Sequence, residues 1–180
     1  TERPFRLCTF SRVMKEKGIE EAIEAVKFIN CKYGEEIFVL DIYGQIDNEQ
    51  LEWFTKIKND FPTFVEYKGV ISFNESVETL KSYYALLFPT YYDGEGFAGT
   101  LLDAMAAGVP AIVSNWKYNK EIVVEGKTGV LVDAKDQCAL NLALEKCLDI
   151  SWNDMKISCI NEAKKYVPEK AIQILLIHLG

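Results

Sequence analysis

Apolar residues alternate along the chain between two spacings. Short apolar runs are separated by longer segments in which apolar residues return every three or four positions, as they do at Ile19, Ala22, Ile23, Val26 and Ile29. The first pattern is typical of buried strands and the second of helices that cover a core. The predicted strands are Phe5–Phe10, Ile37–Tyr43, Thr63–Tyr67, Ala85–Phe88, a run that ends at Asn115, and Gly129–Val132.

The segments between and after these runs are predicted to be helices. They are Ile19–Ile29, Asp47–Lys58, Phe73–Lys81 with a cap at Asn74, a helix within Tyr91–Asn115, Gln137–Leu148 and Trp152–Ala163. Strands that alternate with helices form right-handed βαβ units. We therefore predict a single α/β domain, a Rossmann-like parallel sheet of about six strands with helices on both faces.

The stretch Tyr91–Asn115 combines a glycine-rich loop, a helix and a strand. The loop follows the strand Ala85–Phe88, so it lies at the carboxyl end of a strand, where open parallel sheets bind ligands. Apolar residues return with helical spacing at Leu101, Leu102, Met105 and Ala106.

Small residues in this loop are suited to an anionic ligand. Gly96 and Gly99 let the backbone approach a ligand closely, and the amides of Ala98, Gly99 and Thr100 open the helix as unpaired donors for a phosphate. The alternative is an ordinary strand-to-helix turn with solvated acids, and residue type alone leaves both interpretations open.

A second group of charges follows the first strand, in the segment SRVMKEKG. Arg12 and Lys17 are placed at the same carboxyl edge as the loop after Phe88, with Gly18 opening the next helix. Two cations there could bind a diphosphate. The alternative is that both are solvated loop charges.

Composition excludes several classes of function. The formal net charge is -7, from 20 basic and 27 acidic residues, and there is no run of basic residues that would favour nucleic acid as a partner. Nothing approaches the ~20 apolar residues of a membrane span. Five cysteines without C-x-x-C spacing, and His178 as the only histidine, favour reduced packing residues over a metal site.

The motifs themselves resemble a known family. EGFAGTLLDAM followed by AGVPAIVSN resembles the signature of retaining glycosyltransferases of family 4, which have the two-domain GT-B fold. SRVMKEKG resembles the turn whose Arg and Lys neutralise the donor diphosphate in that family, and here those residues are Arg12 and Lys17. Glu95 matches the first acid of the signature, and Asp103 stands where the family usually has Glu.

Further matches follow in the order of the family. FVLDIYGQ resembles its second strand and turn, with Gly44 retained, and VEYKGVIS resembles the stretch that holds the nucleotide base through Gly69, Val70 and Ile71. NKEIVVEGKTGVLVDAKD resembles the segment that closes the sheet. NWKYN replaces a glycine pair of the family, so Trp116 and Tyr118 are expected to shape that loop.

The resemblance implies a division of roles in a metal-independent, cofactor-free transfer from a nucleotide-diphosphate sugar. Arg12, Lys17 and Glu95 are the expected catalytic residues, with Glu95 orienting sugar hydroxyls and Asp103 the ribose. The other expected donor-binding residues are Gly44, Gly69, Val70, Ile71, Gly96, Phe97, Ala98, Gly99 and Thr100. Uridine diphosphate is the expected carrier and guanosine diphosphate the alternative.

The matching region corresponds to only one half of a GT-B enzyme, the carboxyl-terminal donor half. We expect an acceptor-binding domain to precede it, and the apolar segment PEKAIQILLIHLG to pack either on that domain or on this one. A hexosyltransferase of polysaccharide biosynthesis is expected, cytoplasmic or at the inner face of the membrane, with a glycan or lipid-linked acceptor.

Two other classes of protein remain open. A nucleotide-sugar epimerase half shares the architecture but would bring catalytic acids and histidines that this chain lacks, and a non-catalytic nucleotide-sugar-binding module would bind without turnover. A dinucleotide-binding Rossmann domain is disfavoured because the first turn lacks G-x-G-x-x-G.

Overall fold

The chain folds around one parallel sheet. A computed structural model describes residues 3–148 and 152–166. The six strands in these residues are hydrogen-bonded in the order β3-β2-β1-β4-β5-β6. Every neighbouring pair is parallel, so all six strands end at the same edge. The strands are β1 (Phe5–Phe10), β2 (Phe38–Tyr43), β3 (Val65–Gly69), β4 (Ala85–Phe88), β5 (Ala111–Ser114) and β6 (Gly129–Val132).

Seven α-helices and four short 3-10 turns connect and follow the strands within the described residues. The helices are α1 (Ile19–Tyr33), α2 (Leu51–Asn59), α3 (Ser76–Leu80), α4 (Gly99–Ala106), α5 (Asn119–Ile122), α6 (Gln137–Lys146) and α7 (Trp152–Ala163). The 3-10 turns are Lys15–Lys17, Asn48–Gln50, Phe73–Glu75 and Lys164–Tyr166. No helix in the described part of the chain is long and apolar enough to cross a membrane.

Helices cover both faces of the sheet, and each face has its own core. On one face Leu7 and Leu40 of the sheet pack with Val26 of α1, Phe54 of α2 and Leu144 of α6. The other face buries a second set from the sheet, α3, α4 and α7, namely Cys8, Leu86, Val113, Leu80, Leu101, Met105 and Cys159. The predicted six-stranded, Rossmann-like sheet covered on both faces is confirmed.

Several local predictions differ from the structure. Ser72 caps the 3-10 turn Phe73–Glu75 that leads into α3, through a capping box with Glu75, so the predicted cap at Asn74 is wrong. In α4 the buried small residue is Ala104, whereas Ala106 is exposed. The short helix α5 was not predicted, because its four residues are too few for a periodic pattern. The terminal segment PEKAIQILLIHLG lies outside the described residues.

A polar network around the buried carboxylate of Asp41 connects β1, β2 and the residues before β4. The Asp41 carboxylate accepts hydrogen bonds from Arg6 Nη2 and from the Tyr83 hydroxyl, both at 2.7 Å, and Tyr43 Oη lies 2.9 Å from Tyr83 Oη. Asp41 is buried, so the network satisfies a carboxylate that would otherwise be costly inside the protein. Burial, followed by the hydrogen bonds to Tyr43 and Asp41, raises the pKa of Tyr83.

This network predicts a loss of stability at alkaline pH. In the unfolded chain the Tyr83 phenol ionises at its ordinary pKa of 10.0, whereas the folded chain keeps the proton. The contribution of the protonated phenol to the free energy of unfolding is therefore complete below pH 10.0. It is lost as the pH rises, by up to about 1.4 kcal/mol per pH unit. Urea unfolding at pH 8 to 11 should show that the free energy of unfolding falls less steeply with pH for Tyr83→Phe than for the wild type. Equal dependence on pH in the two proteins would contradict this role of Tyr83.

Candidate active site

The candidate site lies where the chain reverses its direction across the sheet. β1 and β4 are neighbours, but the chain proceeds from β1 toward β3 and from β4 toward β6, which opens a crevice at their carboxyl ends. The β1–α1 turn and the β4–α4 loop meet there. The Tyr91 amide donates to the Glu16 carbonyl at 2.8 Å, so the two loops are joined by their backbones.

Gly18 lets the two loops approach each other closely. Its backbone has a φ of 75°, and a Cβ atom there would lie 2.4 Å from the carbonyl oxygen of Pro89 at the end of β4. Only glycine fits this combination of left-handed backbone and close contact. The preceding residue, Lys17, is thereby held against the β4–α4 loop.

The centre of the site is an ion pair between two predicted residues. Lys17 Nζ lies 2.6 Å from Glu95 Oε2, and each side chain is only 9% exposed. The hydroxyl of Thr90 lies 2.8 Å from the same carboxylate oxygen. Residues distant in sequence therefore form an ion pair and a hydrogen bond in a largely buried position.

The ring of Tyr92 brings the second predicted cation beside this pair. Lys17 Nζ lies 4.9 Å and Arg12 Cζ 5.5 Å from the centre of that ring. Trp116 Nε1 donates to the Tyr92 carbonyl at 2.8 Å, so the loop after β5 contacts the β4–α4 loop. Arg12 is exposed and its Nη1 lies 3.5 Å from Asp47 Oδ2, which leaves the guanidinium accessible.

The start of α4 is open to a ligand. The helix begins at Gly99, and its N-cap residue Ala98 provides no side-chain cap, so the first amides lack an intrahelical partner. Beyond the adjacent backbone, a Cβ atom at Gly96 or Gly99 would meet nothing within 4 Å among the described residues. The Thr100 hydroxyl is buried without a hydrogen-bond partner in the described residues. These features favour an anion at this helix terminus.

Asp103 is attached to a neighbouring helix. Ser76 at the start of α3 lies with its hydroxyl oxygen 2.8 Å from Asp103 Oδ2 and 3.0 Å from the carbonyl of Phe73. Asp103, which is shorter than the Glu usual in the family, is thus held toward α3.

The predicted base-binding segment lies two strands from β1, at the end of β3. Val70 is 65% exposed and Ile71 is partly buried. The Gly44 amide donates to the Gly69 carbonyl at 2.9 Å, so the ends of β2 and β3 are joined. Phe97 on the β4–α4 loop is exposed, with its ring 6.1 Å from that of Tyr166.

A cavity of about 830 Å³ extends from Arg12 to the loop after β2. That loop continues the ladder of β1 and β2, because the Val13 amide donates to the Gln45 carbonyl at 2.8 Å and the Asp47 amide to the Val13 carbonyl at 3.0 Å. The Gln50 side chain donates to Glu16 at 2.8 Å, and this bond lowers the pKa of Glu16. Burial raises the pKa of Tyr91, on the opposite wall, to about 12.

Three residues at the site were not found from the sequence. Thr90 contacts Glu95, Tyr92 lies between the two cations, and Ser76 holds Asp103. The place of Thr90 just after β4 was a visible signal for that residue, and the aromatic pair beside the glycines was one for Tyr92. Ser76 had none, because nothing local relates α3 to α4.

Metal ligands are not clustered at this site. Among residues 3–148 and 152–166, no group of three or more His, Cys, Asp or Glu side chains could hold a metal ion. Among the cysteines within the described ranges, Cys8, Cys147 and Cys159 are buried, whereas Cys31 and Cys138 are exposed.

Known proteins with the same fold are glycosyltransferases. The pneumococcal O-GlcNAc transferase GtfA, solved in complex with UDP and GlcNAc, matches with a TM-score of 0.79 at 20% identity over 98% of this chain and 35% of that protein. The C-terminal domain of LpcC from Francisella tularensis, a glycosyl transferase group 1 family protein, matches with a TM-score of 0.77 at 20% identity over 90% of this chain and 85% of that domain.

Curated relatives agree with these structures. The capsular polysaccharide biosynthesis glycosyltransferase CapM of Staphylococcus aureus is 30% identical over 142 residues, which cover 77% of this chain and 35% of CapM. The GtfA subunit of a UDP-N-acetylglucosamine–peptide N-acetylglucosaminyltransferase of Streptococcus pneumoniae is 29% identical over 131 residues, 72% of this chain and 25% of GtfA.

The fold is the Rossmann-like fold of one half of the GT-B glycosyltransferase structures that this chain resembles. Residues 1–166 match the family described as glycosyl transferases group 1, and the chain belongs to that family. The chain spans between a quarter and about two fifths of the length of the curated relatives that it matches first.

Gly44 has a structural role that can be separated from ligand binding. Its φ is 139°, and a Cβ atom would lie 1.7 Å from the Ser11 carbonyl, whereas Gly34 has a φ of 69° with nothing within 4 Å. Gly34→Ala should cost about 1–2 kcal/mol of unfolding free energy from backbone strain alone. Gly44→Ala should cost about 1–3 kcal/mol more because the ends of β1 and β2 must move apart. Equal costs in urea unfolding would contradict this role.

Proposed function

We propose that this chain is the donor-binding half of a retaining family 4 glycosyltransferase. It binds a nucleotide-diphosphate sugar, with uridine diphosphate as the carrier, and acts without a metal ion. The observation that carries the proposal is the meeting of Arg12 and Lys17 at the ring of Tyr92, on the loop that leads into the uncapped start of α4.

The chemistry of transfer fits this group of residues. When the bond between the anomeric carbon and the diphosphate breaks, negative charge grows on the leaving phosphate oxygens. The Arg12 guanidinium, the Lys17 ammonium and the first amides of α4 are donors that stabilise such charge. Glu95 orients sugar hydroxyls as a hydrogen-bond acceptor.

The ribose and the base of the donor are assigned to Asp103 and to the residues at the end of β3. Asp103 accepts a hydrogen bond from a ribose hydroxyl through the oxygen that Ser76 leaves open, and Gly69, Val70 and Ile71 provide backbone groups and an apolar surface to the base. The exposed position of Val70 and the 2.8 Å contact between Ser76 and Asp103 support these assignments.

Relatives support the wider context of the proposal. CapM is named for capsular polysaccharide biosynthesis, and GtfA is described in complex with UDP and GlcNAc. We infer a hexosyltransferase that acts in polysaccharide assembly on a glycan or lipid-linked acceptor held by its own preceding domain. A place in the cytoplasm, at the inner membrane face, follows from that acceptor.

Calorimetric titration of the chain in metal-free buffer tests the donor site. Uridine diphosphate, guanosine diphosphate and inorganic diphosphate are compared at the same ionic strength. We expect saturable binding that prefers uridine diphosphate. Arg12→Ala should weaken that binding about 10- to 100-fold, because it removes a charge-assisted hydrogen bond to the diphosphate.

Arg3→Ala is the matched control for this titration. Arg3 precedes the opposite end of β1 and pairs with Glu35, so its removal changes the net charge equally without touching the site. Unchanged affinity in Arg3→Ala would assign the loss in Arg12→Ala to a local contact. Equal losses in both variants, or no binding of any nucleotide, would contradict the proposed function.

A further inference from the structure

The Lys17–Glu95 ion pair has a consequence for which ligands the site accepts. The two groups neutralise each other at 2.6 Å, and both side chains are only 9% exposed. The Thr90 hydroxyl, 2.8 Å from Glu95 Oε2, adds a neutral contact. A ligand that takes Lys17 away from Glu95 must therefore break a largely buried ion pair.

A bare nucleoside diphosphate can replace only one half of this pair. Its phosphates can take the Lys17 ammonium, but Glu95 is then left with the Thr90 hydroxyl alone, close to an incoming anion. An uncompensated buried carboxylate is costly, and repulsion from the diphosphate adds to the cost. Arg12 is in a different position, because its exposed guanidinium can meet a phosphate without uncovering Glu95.

A nucleotide sugar can replace both halves. The diphosphate pairs with Lys17, and sugar hydroxyls donate hydrogen bonds to the Glu95 carboxylate. We infer that the Lys17–Glu95 ion pair, supported by Thr90, makes this site select the sugar-bearing nucleotide over the bare nucleoside diphosphate. The inference rests on the proposed function and adds to it a basis for releasing the product, since the pair re-forms once the sugar has left.

Affinities for two probes, uridine diphosphate and UDP-N-acetylglucosamine, test this selectivity. Glu95→Gln keeps the size of the side chain but removes its charge, so Lys17 is free to bind the diphosphate. We expect Glu95→Gln to bind uridine diphosphate about tenfold more tightly than the wild type does, which corresponds to about 1.4 kcal/mol. Affinity for the nucleotide sugar should stay the same or fall, so the preference for the sugar falls at least tenfold.

Glu24→Gln is the matched control, because Glu24 forms an exposed ion pair with Lys27 on α1 and its loss changes the net charge equally. It should leave both affinities unchanged. Glu95→Ala gives a second variant that frees Lys17, with circular dichroism and the melting temperature reporting that each variant is folded. It should also bind uridine diphosphate more tightly.

The outcomes separate this inference from the proposed function. Suppose that nucleotides bind and Arg12→Ala weakens both probes, but neither Glu95 variant gains affinity for uridine diphosphate. The selectivity inference is then wrong and the donor site stands. If the wild type and both Glu95 variants bind neither probe, the proposed function and the inference fail together.

Discussion

The close contact between the β1–α1 turn and the end of β4 is the constraint on which the site depends. Gly18 permits the turn to approach Pro89 so closely that no side chain fits between them, and the Tyr91 amide fixes the distance through the Glu16 carbonyl. Both loops emerge from neighbouring parallel strands, so their positions follow from the sheet itself. The functional groups therefore lie on two loops that start from the two central strands and are joined to each other through their backbones.

Charge is balanced locally in the site. Lys17 pairs with Glu95, Arg12 lies near Asp47, and the aromatic ring of Tyr92 lies between the two cations. An anionic ligand in a chain of net charge -7 meets acids as well as bases. Its binding is consequently an exchange of partners, in which each carboxylate that loses a cation needs a new donor. Selectivity between related ligands can arise from that exchange without any additional residue.

Local signals in the sequence account for most of the elements. β1, β4, β6 and α7 begin and end where the hydrophobic pattern predicts them. α1 begins at the predicted residue but continues to Tyr33, because Gly34, with its φ of 69°, ends it. β3 starts two residues later than predicted, since a turn from Pro62 to Val65 precedes it. Arg12, Lys17 and Glu95 were selected because their motifs resemble those of the family, and the structure brings all three to one crevice.

The sequence by itself determined the alternation of strands and helices, the parallel sheet and the family, because periodicity and motif order are local properties of the chain. Only the tertiary structure decided the strand order, the pairing of Lys17 with Glu95 and the contacts made by Thr90 and Ser76. Lys17 and Glu95 are 78 positions apart, and their contact exists because β1 and β4 became neighbours. Partners of this kind depend on how the strands are arranged, which no short stretch of residues specifies.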